Sequence, residues 1–121
     1  MGHKILIVED DESIANLVKI NLELEGYQTL MAADGEEAIQ ALDTETPDLV
    51  VLDLMIPKFD GWEVLKHMNE TRRDNHLPVI ITSAKTQKED LDKGAAFGVV
   101  DYLVKPFDPQ DLINKIQEVL Q

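Results

Sequence analysis

The chain has 121 residues, with 24 Asp and Glu against 11 Lys and Arg, for a formal net charge of −13. That length suits one domain with a real core, since a domain near this size hides roughly two thirds of its unfolded surface. There are no cysteines, which excludes a disulfide framework, a thiol nucleophile and cysteine metal sites. No apolar run approaches the roughly 18 residues that a transmembrane helix needs, so no membrane association is expected. Met-Gly-His-Lys leads straight into a strand-like run, without the regions of a signal peptide. A cytoplasmic location is the expectation. Nucleic-acid binding by this domain is disfavoured, because phosphate contacts need clustered cations and the only arginines are Arg72 and Arg73. The acidic balance suits a divalent cation and basic protein partners.

In chain order, strand and helix alternate five times. Lys4 to Glu9 is a nearly continuous apolar run that ends at Asp10 and Asp11. From Glu12 to Glu25, Ile14, Leu17, Val18 and Leu22 fall at helical spacing, and Gly26 stops the helix. Tyr27 to Ala32 reads as the second strand. Asp34-Gly35 opens a helix to about Asp43, with Ala38, Ile39 and Leu42 inward. Pro47 breaks the chain. Asp48 to Asp53 is the third strand. After Pro57 and the turn signal Asp60-Gly61, the residues Trp62, Val64, Leu65 and Met68 mark a helix to about Arg73. Pro78 to Ser83 is the fourth strand. Gln87 to Phe97 is helix-like, although Gly94 lies inside it. Val99 to Val104 is the fifth strand, interrupted by Lys105-Pro106. Asp108-Pro109 reads as an N-cap with proline at the first helical position, before a last helix carrying Leu112, Ile113, Ile116, Val119 and Leu120. No repeat, linker or low-complexity tract is visible. Residues 1–121 are expected to form one domain.

Apolar strands alternating with amphipathic helices imply an α/β fold, a parallel sheet with helices on both faces. Ligands of such sheets lie outside the carboxyl ends of the strands, at the switch point of the winding. The strand ends are therefore the candidate site. Strand one ends at Asp10 and Asp11, strand three at Asp53, strand four at Ser83, and strand five runs into Lys105. Strands one and three lie side by side in a doubly wound sheet, so three carboxylates share one small surface. Like charges so placed repel. A hard divalent cation removes that cost, and Mg²⁺ takes one or two carboxylates, waters and a phosphate oxygen. A lysine and a hydroxyl suit phosphoryl oxygens, and Asp is a known phosphoryl nucleophile. A helix cap explains one of Asp10 and Asp11, but not both.

With these residues in view, the chain resembles the receiver domains of two-component response regulators over its whole length. The resemblance is carried by Ile7-Val8-Glu9-Asp10-Asp11, Asp48 to Pro57, Asp60-Gly61, Ser83-Ala84 and Asp101 to Phe107. It implies a flavodoxin-like sheet of five strands in order 2-1-3-4-5. It implies a phosphorylation switch in a phosphorelay, in which a histidine kinase or phosphotransfer protein donates to Asp53. Asp11 and Asp53 would bind Mg²⁺ directly with the backbone carbonyl of Met55, and Asp10 through a bound water. Lys105 would pair with Asp53 and then with the phosphoryl group. Ser83 would swing towards it, and Tyr102 would turn inward and alter the surface of helix four, strand five and helix five. Lys105-Pro106 would be cis. The domain would catalyse its own phosphotransfer and dephosphorylation, without being a turnover enzyme.

The resemblance is to a chemotaxis-type or winged-helix-type receiver, and two departures from the winged-helix DNA-binding receivers speak against the salt-bridged dimer that those form. Val100 stands where they carry an acid, and Asn114 and Lys115 where they carry arginines. Phe97, Val99 and Val100 suggest a more apolar output face for an output domain, a target protein or a homodimer partner. Two other readings are weaker. An aspartyl-phosphate hydrolase of the haloacid dehalogenase type needs a second Asp two residues after the nucleophile, where Met55 cannot donate a proton. A phosphate-independent interaction module would not need all five site positions filled. His3, His67 and His76 are read as surface residues without metal-ligand spacing.

Overall fold

The computed structural model describes residues 2–56, 58, 60–71, 77–84 and 97–120. The strands are β1 (Lys4–Val8), β2 (Gln28–Ala32), β3 (Leu49–Asp53), β4 (Val79–Ser83) and β5 (Val99–Val104). The helices are α1 (Glu12–Leu24), α2 (Gly35–Thr44), α3 (Gly61–Thr71) and the C-terminal α4 (Pro109–Leu120). The helix expected over residues 87–97 lies outside the described residues up to position 96, and Phe97-Gly98 is a turn leading into β5. Arg72, Arg73 and His76 also lie outside them.

All pairings are parallel, in the order β2-β1-β3-β4-β5. The central strands are buried on both faces, which is why they read as unbroken apolar runs. Alternate residues feed two cores. Leu6, Val8, Val50, Leu52, Val79 and Ile81 pack with Ala38, Leu42, Val64, Leu65 and Met68 of α2 and α3. Ile5, Ile7, Leu49, Val51 and Ile80 pack with Val18, Leu22, Leu112, Ile113 and Ile116 of α1 and α4. Phe97, Val99 and Tyr102 rest against the first core, whereas Val100 and Val104 are exposed on the edge strand.

Local chemistry sets the helix ends. Asp34 Oδ1 accepts from Glu37 N–H at 2.8 Å, and Asp108 Oδ1 from Gln110 N–H at 2.8 Å. At the end of α1, Gly26 has φ +92°. Its N–H donates to Glu23 O at 3.0 Å and the Tyr27 N–H to Leu22 O at 3.1 Å. This paired closure needs a left-handed residue, which glycine supplies without strain. Among the described residues, no helix is long and apolar enough to cross a membrane.

Candidate functional site

The site lies where β1, β3, β4 and β5 end. Strand order makes β3 the neighbour of both β1 and β4, so the acids after β1 and at the end of β3 must meet. Asp53 is the last residue of β3 and is only 4 % exposed. Ser83 closes β4 and is equally buried, and its carbonyl accepts from Lys105 N–H at 2.6 Å. That bond extends the β4–β5 ladder by one step and aims Lys105 back over the strand ends. The Lys105–Pro106 peptide is cis.

Lys105 Nζ donates to Asp53 Oδ2 at 2.9 Å and to Glu9 Oε1 at 2.6 Å. The other Asp53 oxygen, Oδ1, accepts from Met55 N–H at 3.0 Å. Both oxygens of the acceptor candidate are thus held, and its carboxylate plane is fixed. Met55 itself is turned outward, with its side chain exposed.

Glu9, Asp10 and Asp53 offer carboxylate oxygens that all lie within 4.8 Å of one another. Oxygens on an octahedral Mg²⁺ at about 2.1 Å stand about 3 Å apart in neighbouring positions and about 4.2 Å apart across the ion, so this all-oxygen donor set suits the ion in chemistry and is gathered to within about half an ångström of its span. The cluster is displaced by one residue from the Asp10–Asp11 pair expected from sequence. Asp11 is the N-cap of α1: its Oδ1 accepts from Ser13 N–H at 2.9 Å and from Ile14 N–H at 3.2 Å. Its own N–H donates to Glu9 Oε2 at 3.2 Å. A side chain committed to two helix amides stands apart from the cluster. Glu9, which sequence reasoning passed over as the last residue of the strand, is buried beside Lys105 instead.

The electrostatics follow from one cation serving two anions. Burial lowers the Lys105 ammonium, but the hydrogen bonds and charges of Glu9 and Asp53 outweigh it, and its pKa is raised above 10.5. Glu9 is pushed above its ordinary 4.5, by burial first and by the Asp53 charge, against the pull of Lys105. The lysine is over-compensated and the glutamate under-compensated, which is the condition a divalent cation corrects.

Tyr102 lies on β5, half-buried against the first core. Lys115 Nζ pairs with Asp101 Oδ2 at 2.8 Å, tying α4 to the edge strand. His67 meets Asp43 at 2.9 Å between α3 and α2, away from the acids.

The profile of the response regulator receiver domain matches residues 5–117. The chain is 41% identical over 121 residues to the alkaline phosphatase synthesis transcriptional regulatory protein PhoP of Bacillus subtilis, covering all of this chain and 50% of that protein. It spans about half the length of the curated relatives it matches. Among solved structures it superposes on the Francisella response regulator 1452 receiver domain with a TM-score of 0.88 at 36% identity, covering 98% of this chain and 96% of that one. It also superposes on the receiver domain of the sensor histidine kinase PA1611 from Pseudomonas aeruginosa, which has a magnesium ion coordinated in its active-site cleft, with a TM-score of 0.85 at 26% identity over 98% and 97% of the two chains. Strand order, the acids at the strand ends, the lysine that spans them and these likenesses agree: the chain belongs to the response regulator receiver domains of two-component signalling.

Proposed function

We propose that Asp53 is the phosphoacceptor of this receiver and that Mg²⁺ is held by Asp10, Asp53 and the Met55 backbone carbonyl, with Glu9 beside it. The observation that carries the reading is the Asp53 carboxylate. It is buried, fixed at one oxygen by Lys105 and at the other by Met55 N–H, and within ligand distance of two further acids. The donor is a histidine kinase or phosphotransfer protein, which this reading places with the receiver in the cytoplasm. An Asp53 oxygen attacks phosphorus, the P–N bond to the donor imidazole breaks as the P–O bond forms, and the imidazole leaves with its proton.

The divalent cation would supply charge neutralisation of the phosphoryl oxygens. The chain's own residues do the rest. Lys105 holds Asp53 in place beforehand and then follows the charge onto the phosphoryl group. Ser83 offers its hydroxyl to a phosphoryl oxygen. Tyr102, already packed against the core from β5, moves inward as Ser83 moves. The Val100 and Val104 surface is then read by a target, an output domain or a second copy. The same machinery catalyses the domain's own loading and dephosphorylation by water, with no second acid at Met55 to hasten it.

Intact-mass measurement after incubation with Mg²⁺ and acetyl phosphate tests this. One phosphoryl mass is expected on the wild type and none on Asp53→Asn. Equal uptake by both proteins rejects the assignment.

A further inference from the structure

Gly61 begins α3, eight positions beyond the acceptor in sequence, yet it is hydrogen-bonded to the residue next to it. Its N–H donates to Leu54 O at 3.1 Å. A Cβ built at this position would lie 2.7 Å from Leu54 Cα, 2.9 Å from Leu54 Cδ2 and 3.1 Å from Asp53 O. Contacts under 3.0 Å are essentially never seen for a real Cβ. The nearest atom is backbone, so it cannot swing aside as a side-chain tip would. Among the described residues the glycines with positive φ are Gly2, Gly26 and Gly98, and Gly61 is not one of them. The position therefore needs glycine for space, not for a left-handed backbone.

What Gly61 leans on is the chemistry-bearing stretch. The atoms that a side chain would displace belong to Asp53 and Leu54. Leu54 and Ile56 are buried in the first core on either side of exposed Met55. Met55 N–H in turn orients Asp53 Oδ1. The segment is pegged into the core from below and met by Gly61 from the helix side, which leaves it little freedom to relax.

We propose that Gly61 is a positioning residue of the phosphoacceptor site. Its missing side chain lets α3 close onto the Asp53–Leu54 backbone, and that contact sets where the Asp53 carboxylate and the Met55 backbone stand relative to Glu9, Asp10 and Lys105. The inference rests on the function proposed above. Site groups must be held to within about 0.5 Å, and groups that orient metal ligands typically control affinity by about 10–100-fold.

Mg²⁺ titration by calorimetry on the wild type, Gly61→Ala and Asp60→Ala tests it. Asp60 caps the same helix end, its Oδ1 accepting from Glu63 N–H at 3.1 Å, so Asp60→Ala loosens α3 without adding an atom near Leu54. Gly61→Ala is expected to weaken Mg²⁺ binding by about 10–100-fold, and Asp60→Ala to leave it unchanged. If Gly61→Ala does not fold, Leu54→Val/Gly61→Ala removes the Cδ2 contact and keeps the backbone one, with the same loss expected. Wild-type affinity in the folded Gly61 variant, or an equal loss in Asp60→Ala, overturns the proposal. A wild type that binds no Mg²⁺ and takes no phosphoryl group overturns instead the reading on which it rests.

Discussion

Glu9 and Lys105 form a pair whose two members fare differently. The ammonium has two carboxylates within hydrogen-bonding distance, while Glu9 has one cation, little solvent and Asp53 as an anionic neighbour. Because Glu9 titrates above its ordinary 4.5, the folded protein keeps a proton there that the unfolded chain has already released. Without divalent cation, stability therefore falls as pH rises from 4.5 through the raised value, and stays lowered above it. Glu9→Gln is expected to remove that slope and to raise the metal-free thermal midpoint at pH 7, while weakening Mg²⁺ binding. Urea melts at several pH values read this directly, and a less stable variant at pH 7 would show that the Lys105 pair outweighs burial. The neighbouring acids separate in the same way. Asp11→Ala removes a cap and should cost about 1 kcal/mol with Mg²⁺ affinity kept. Asp10→Asn should cost little stability and lose most of the affinity. The reverse assignment of losses would return the metal to Asp11.

At the scale of elements, the sheet and its strand ends were readable because strands buried on both faces cannot alternate in polarity, and Asp53, Ser83 and Lys105 all fall where those runs stop. The acidic cluster stands one position before the acid pair expected from sequence because two demands compete for neighbouring residues. A helix opening at Glu12 needs its cap at Asp11, and that leaves Glu9 and Asp10 for the cluster. Glu9 also continues the ladder, its N–H donating to Ala32 O at 3.0 Å, so it looked like strand and not like site. The role of Gly61 left no trace in sequence, since Asp-Gly reads as turn chemistry while its contact with Leu54 exists only after α3 docks. Gly26 is the contrasting case. Its φ is +92° and nothing lies within 4 Å of a Cβ there, so Gly26→Ala meets backbone strain alone. It should cost about 1 kcal/mol and leave Mg²⁺ affinity untouched, as a denaturation curve and a titration on the same sample would show.

The whole molecule carries a net charge of −13, and part of that charge is concentrated where three acids meet above the sheet. Two effects of salt must then be told apart. Any electrolyte screens the general self-repulsion, with a reach of about 10 Å at 0.1 M. An ion that binds only the folded site adds stability on top, about 2.7 kcal/mol when it is present at a hundred times its dissociation constant. Thermal midpoints measured in NaCl and in MgCl₂ at matched ionic strength separate the two. Both salts should stabilise the wild type, with MgCl₂ giving several degrees more. Asp10→Asn should respond to NaCl as the wild type does and lose the extra gain from MgCl₂, because its surface charge is nearly unchanged while the cluster has lost a ligand. If the MgCl₂ advantage survived in Asp10→Asn, the stabilisation would belong to the acidic surface at large, and the strand-end cluster would have to give up its claim to the ion.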